Sequence, residues 1–449
     1  MRWRLGLLVL LSWLLPAAAS HAQEHPLFDA VERNSVDEVL GVLTLGTGVN
    51  LRREDGSTPL HIAAGIGNPK MVQVLLDKGA EVNAGDGGGV KPLHWAAQDG
   101  KVKAAEMLLA RGAEADAKAE DGMTPLHLAA AGGDPVMAAL LIARGADVNT
   151  LDQLGESPLY WAAGNGNLET AKLLMAHGAN PNAANSEGLT PLHQAVADGR
   201  TEMVLLLLLK GVNVNALSEK GQSPLHWAVS FGRLETAQLL LDHGAEVNTA
   251  AHGGETALHM AAFGGVPAMV TLLLARGAEF NARTEDRRTP LMVALANGRI
   301  EVAELLEARL VERGLSNGAA GALAQLTEEL AQDPSNDDRR RLLFKLAAGT
   351  RPAPAIPAAA RKAYNEGATL YRSAKDPAQA GRAADKLAEA LTIAPWWVAA
   401  YYDLALAADL AGRYEAAERA FDAYLMSHPP PAEVEEVQAR MAVLSAKRK

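Results

Sequence analysis

The chain has 449 residues, 49% hydrophobic and 21% charged, a balance that excludes both a disordered tail and a multi-span membrane protein. Its 42 basic and 53 acidic side chains give a net charge of −11 and no surplus for neutralising phosphates, so nucleic acid and anionic membranes are excluded as main partners. Cysteine is absent, which removes disulfides, thiolate nucleophiles, Cys-ligated zinc and iron–sulfur clusters.

Arg2 and Arg4 precede an apolar run from Leu5 to Leu15, then Pro16 and the small-residue stretch Ala17-Ala18-Ala19-Ser20-His21-Ala22. This three-part pattern reads as a secretory signal peptide over residues 1–22, cut between Ala22 and Gln23. The apolar run is too short for a stable membrane span. The expected product is a soluble, acidic, exported protein, periplasmic or secreted, without stable membrane insertion.

A motif then recurs in unbroken phase. Thr58-Pro59-Leu60-His61-Ile62-Ala63-Ala64 returns at Lys91, Thr124, Ser157, Thr190, Ser223, Thr256 and Thr289, each step 33 residues. One further step back lands on Leu27 in a degenerate copy, so nine units run over residues 25–314. Thr or Ser supplies an N-cap oxygen, Pro takes the first helical position, and Leu-x-x-Ala-Ala lines a short first helix. Gly67, Gly100, Gly133, Gly166, Gly199, Gly232, Gly265 and Gly298 fall where that helix needs a left-handed terminator, with Asn34 there in the first copy. A second helix carries pairs such as Leu75-Leu76 and ends at Gly79 and its equivalents, each preceded by a basic residue or His that complements the helix dipole.

These residues resemble the ankyrin-repeat family. The resemblance implies a stacked helical solenoid whose Gly/Asp/Asn-rich connections, such as Asn83 to Gly89, form short β-hairpin fingers. It implies also that His61, His94, His127, His193, His226 and His259 tie each helix start to the Thr or Ser hydroxyl and adjacent backbone. The end copies depart from the pattern: Phe28 and Met292 replace the motif His, Arg287 replaces the finger Gly, and Leu310 replaces the closing Gly.

The repeated His lie one per layer, about 10 Å apart, too far for neighbouring imidazoles to share a zinc. No His-Glu-x-x-His, Gly-x-Ser-x-Gly or Gly-Lys-Ser/Thr phosphate-binding pattern occurs. The expectation is a protein that is not an enzyme and uses no cofactor or metal. The residue after the motif His varies: Ile62, Trp95, Leu128, Trp161, Gln194, Trp227, Met260, Val293. It lies about 200° around the helix from the core Leu and should face out on the concave side. Trp95, Trp161 and Trp227, extended by Phe231 and Phe263, are therefore the candidate partner-binding residues, with packing over the neighbouring unit as the alternative role.

After Gly314 the register breaks, and residues 315–357 read as a helical connector ending in the linker that holds Pro352, Pro354 and Pro357. From 358 to 449 a second pattern begins. Tyr401, Leu404-Ala405, Gly412, Tyr414, Ala417, Phe421 and Pro429 have spacings similar to a tetratricopeptide repeat, and Pro395 lies 34 residues before Pro429. Pro431 to Ser445 reads as a closing helix.

The fold class expected is all-α: an ankyrin-repeat solenoid with short β-hairpin fingers, followed by a tetratricopeptide-like helical region. The function it implies is a monomeric exported scaffold or adaptor that binds one or more proteins through its concave face. The alternatives are an inhibitor or protective accessory subunit of an exported enzyme, and a catalytic role for residues 315–449.

Overall fold

The computed structural model describes residues 25–312 and 354–448, with Leu323, Leu326, Thr327, Leu330, Arg340, Arg341, Leu343, Phe344 and Ala347 between them. The expected signal peptide and cut site, and most of the 315–357 segment, lie outside the described residues. The chain divides into two compact units, residues 1–213 and 214–449.

In the first unit, six helix pairs follow one another at the sequence period. They are α1 Pro26–Glu32 and α2 Val36–Thr44, α3 Pro59–Ile66 and α4 Pro69–Asp77, α5 Pro92–Gln98 and α6 Val102–Ala110. Then come α7 Pro125–Gly132 and α8 Pro135–Ala143, α9 Pro158–Asn165 and α10 Leu168–Ala176, and α11 Pro191–Ala197 and α12 Thr201–Leu209. In this unit every first helix from α3 onward starts at the motif Pro, and its Leu (Leu60, Leu93, Leu126, Leu159, Leu192) is buried, as are Leu75, Leu108, Leu141, Leu174 and Leu207 of the second helices. The small pair beside it, Ala-Ala in α3, α5, α7 and α9 and Ala195-Val196 in α11, is buried as well, so layers approach closely on small side chains rather than on a broad aromatic core. The degenerate first copy folds with the others. His25 caps α1 through Nδ1, which accepts from the Leu27 N–H at 3.2 Å, and Phe28 packs 4.8 Å beneath the Arg53 guanidinium.

The second unit begins with three such pairs: α13 Pro224–Ser230 and α14 Leu234–Asp242, α15 Ala257–Gly264 and α16 Pro267–Ala275, α17 Pro290–Ala296 and α18 Ile300–Glu312. The last helix is longer because Leu310, buried, stands where the earlier units place a helix-ending Gly. Five longer helices complete this unit: α19 Ala358–Ser373, α20 Pro377–Ile393, α21 Val398–Leu410, α22 Tyr414–Leu425 and α23 Pro431–Arg448. Ala384, Leu387, Ala405, Ala408, Ala417, Phe421, Val437 and Leu444 form their common core. At Gly367 an added Cβ would stand 2.8 Å from Leu387, so that glycine is what lets α19 and α20 touch. The region 358–448 is thus helical, as the spacing predicts.

The terminating glycines from Gly67 to Gly298 all adopt positive φ, between 64° and 81°, and Asn34 takes φ 55° in the first copy. The connections differ from the expectation. Among the described residues no strand forms, and the only bridge is an isolated one between Ala250 and Thr256. Each finger is a tight turn closed by its own backbone, as in Asp86 N–H to Val90 O at 2.9 Å. Its tip bonds to the next tip: Gly87 to Asp55 O, Glu120 to Gly88 O, Gln153 to Asp121 O and Ser186 to Leu154 O, at 2.8–2.9 Å. One backbone-to-backbone bond between neighbouring fingers per layer is too few to make a ladder.

Arg287 keeps the turn of the missing Gly by adopting φ 63°, a left-handed conformation that costs a side-chain-bearing residue about 1–2 kcal/mol. Arg287→Gly is expected to stabilise the chain by about 0.5–1 kcal/mol once the greater freedom of unfolded Gly is subtracted. A denaturant titration of the two proteins measures the difference.

Candidate functional site

His61, His94, His127 and His259 are staples between layers. In the first unit the Thr58 N–H donates to Nδ1 of His61 at 3.0 Å, and Nε2 of the same ring lies 2.9 Å from Val90 O in the next unit's finger. Because Nδ1 accepts, Nε2 carries the proton and donates. His94 and His127 repeat this with Met123 O at 3.1 Å and Glu156 O at 3.0 Å; in the second unit His259 reaches Arg288 O at 3.1 Å. Burial lowers the pKa of His61, His127, His226 and His259, and lowers His94 to about 4. Thr190 N–H and Ser223 N–H donate to His193 and His226 in the same way, at 3.2 and 3.1 Å. Among the described residues no three His, Asp or Glu side chains converge as a metal-binding group.

A second set of staples runs along the other side of the layers. Asn50 donates to Gly79 O at 3.2 Å and accepts from the Glu81 N–H at 2.9 Å. Asn83 and Asn149 in the first unit, and Asn215 and Asn248 in the second, do the same one period on. These bonds satisfy the carbonyls of the glycines that follow the second helices. The basic residues before the closing glycines also reach across layers, as Arg111 does to Asp77 at 2.7 Å and Arg276 to Asp242 at 2.8 Å.

One layer breaks the pattern. Tyr160 occupies the His position, is buried, and sends its hydroxyl to Gln194 Oε1 at 2.9 Å. The Gln194 amide donates in turn to Asp198 at 2.6 Å. Next to Tyr160, Trp161 is half-buried, and its indole N–H donates to Asp152 of its own finger at 3.2 Å. Glu156 lies in the same finger and accepts from Asn185 at 3.4 Å. Burial, then the nearby Asp152 charge and that of Glu187, push Glu156 up to about 7. Two exposed leucines, Leu151 and Leu154, complete this finger. An aromatic ring, exposed apolar tips and acidic groups therefore meet in one layer.

A group whose folded pKa is raised contributes stability below its unfolded pKa and loses it as pH rises through the folded value. Glu156→Gln is therefore expected to raise stability at pH 8 by about 1–2 kcal/mol, after discounting for partial solvent exposure, and to change little at pH 4.5. Melts of both proteins at the two pH values check this.

The other aromatic residues are placed differently from one another. Trp95 is half-buried; it packs edge-on to His61, centroids 5.8 Å apart, over Gly65, where an added Cβ would stand 3.2 Å from the ring. In the second unit Trp227 is only 8% exposed, beneath Phe231, whose ring centroid lies 5.9 Å away. Its indole is a packed support, and the rings presented to solvent there are Phe231 at 45% and Phe263 at 59% exposure. The outward position inferred from helix angle thus holds for Trp95 and Trp161 in part and not for Trp227, because a large ring folds down onto the adjacent turn. Tyr160 and Asp152 escaped the sequence reading; the signal for Tyr160 was the break in the His series.

The sequence model for ankyrin repeats (three copies) matches residues 27–119, 111–185, 179–251 and 249–312. The chain belongs to the ankyrin-repeat family. Ankyrin repeats are protein–protein interaction modules, and the array here spans both units. No curated protein matches the chain. Among its described residues no helix is long and apolar enough to cross a membrane.

Proposed function

We propose that the chain is an exported, monomeric adaptor without catalytic activity, which holds a partner protein on its ankyrin repeats. Trp95 and Trp161 would anchor the partner on the first unit, and Phe231, supported by Trp227, and Phe263 on the second. The observation that carries this reading is the layer of Trp161: a half-buried ring, fixed in orientation by Asp152 and flanked by exposed Leu151 and Leu154. A ring whose rotamer is already set loses little entropy on binding, which is how aromatic anchors gain their weight. The leader with its cut after Ala22 supports export.

Two measurements test the proposal. The mature protein should begin at Gln23 and partition with soluble exported material; a chain beginning at Met1 in membrane pellets contradicts export. Capture from the exported fraction should recover a partner with the wild-type chain and lose it with Trp95→Ala/Trp161→Ala. Retention of the same partner by the folded double variant contradicts the assigned face.

A further inference from the structure

Charge on the first unit's binding face is one-sided. Trp95, Leu128 and Trp161 hold one repeat position in three successive layers, on α5, α7 and α9, and all three are part-exposed. They form an apolar strip. The fingers at residues 117–123, 150–156 and 183–189 carry Glu120, Asp121, Asp152, Glu156 and Glu187 against one cation, Lys118. That cation is tied back, donating to Leu151 O at 3.0 Å.

Each tryptophan of the strip has a carboxylate at its side. An added Cβ on Gly65 would lie 3.2 Å from the Trp95 ring and 3.2 Å from Oδ2 of Asp99, so ring and carboxylate close on the same small residue. Burial raises the Asp99 pKa, and Lys101 opposes it. The Trp161 ring is held by Asp152, and Glu156 of the same finger is pushed up by burial and then by the charges of Asp152 and Glu187. A cation set beside either carboxylate lifts the cost of ionising it. An aromatic ring and a carboxylate together are the complement of a guanidinium, which stacks on the ring while its N–H groups donate to the acid.

We propose that this strip binds an extended basic segment of the partner, one arginine at Trp95 and Asp99, a second at Trp161 and Glu156, and aliphatic side chains between them on Leu128. The proposal rests on the partner-binding face assigned above and names the chemistry that face accepts. Two layers separate the tryptophans, about 20 Å at about 10 Å per layer, a span that about six residues of extended chain cover at about 3.3 Å each. An even spacing also puts both arginines on one side of the segment.

The probe is the labelled peptide Gly-Arg-Ser-Leu-Ser-Leu-Ser-Arg-Gly, titrated into the full mature chain by fluorescence anisotropy. Controls replace both arginines by glutamine or by glutamate, or place the two arginines side by side. The arginine peptide is expected to bind at least about tenfold tighter than the glutamine and side-by-side peptides, with affinity falling as salt rises, and the glutamate peptide not to bind. Asp99→Asn and Glu156→Gln keep the shape of the face and should each weaken the arginine peptide about threefold, and Trp161→Ala about tenfold or more. Absence of saturable binding overturns the proposal. So does equal binding of any control peptide, or affinity unchanged in Asp99→Asn and Glu156→Gln. The partner recovered by capture separates this proposal from the reading it rests on. If Trp95→Ala/Trp161→Ala loses that partner while Asp99→Asn/Glu156→Gln holds it as tightly as the wild-type chain, the face stands and the basic segment is refuted. If the tryptophan double variant retains it, the face itself is wrong.

Discussion

Acidification is expected to unfold the ankyrin array well before its carboxylates are exhausted. His61, His94, His127, His226 and His259 are held neutral by burial, each with its folded pKa below the ordinary value of 6.5. Unfolded, they take up protons from pH 6.5 downward, whereas the folded chain does not, so stability is fully present above 6.5 and falls as pH drops. For His94 the fall continues to about pH 4 and amounts to about 3 kcal/mol. The other four add to it with the same sign. Glu156 works in the opposite direction, since its raised pKa favours the folded chain as pH falls below about 7, but it is one half-buried group against five. Denaturant titrations at pH 7.5 and pH 5 should therefore differ by several kcal/mol at an unchanged slope. Equal midpoints would mean that the imidazoles are not held neutral in the stack.

The same layered packing makes Leu159→Ala costly. Leu159 is fully buried in α9, and the small residues around it, Ala162 and Ala163, cannot collapse to fill the space. A loss of about 2–5 kcal/mol is expected, measured by the shift of the unfolding midpoint. Because each unit is stabilised mainly by its neighbours, the loss should spread along the array of the first unit rather than stay local.

What the sequence discloses is what the period enforces. Thr58, Pro59, Leu60, His61 and Gly67 recur because every layer needs the same cap, start, core contact, staple and stop, and repetition makes that need visible. Asn34 at φ 55° and the helix run-on at Leu310 follow from the same logic at the ends. The Asn50 series recurs with equal regularity but carries no signature of its own, since its bonds run between layers and appear only when the units are stacked. The aromatic positions are less legible still. Trp95, Trp161 and Trp227 occupy one repeat position, yet their exposure depends on neighbours outside the motif: Gly65 under one, the Asp152 carboxylate beside another, Phe231 above the third. The fingers mislead for a related reason, since turn residues predict the reversal but not how few bonds join one finger to the next.

The face around Trp161 is the centre of the functional account, and comparing Trp161→Ala with Leu159→Ala tests it most directly. Both variants would be measured for stability by denaturant titration and for affinity toward the partner recovered by capture. Trp161→Ala is expected to cost less stability than Leu159→Ala and to weaken binding by well over tenfold, since buried aromatic anchors carry about 2 kcal/mol or more of binding energy. If Trp161→Ala instead unfolds the array as badly as Leu159→Ala and the residual folded fraction binds with unchanged affinity, the ring is core, and the partner sits elsewhere.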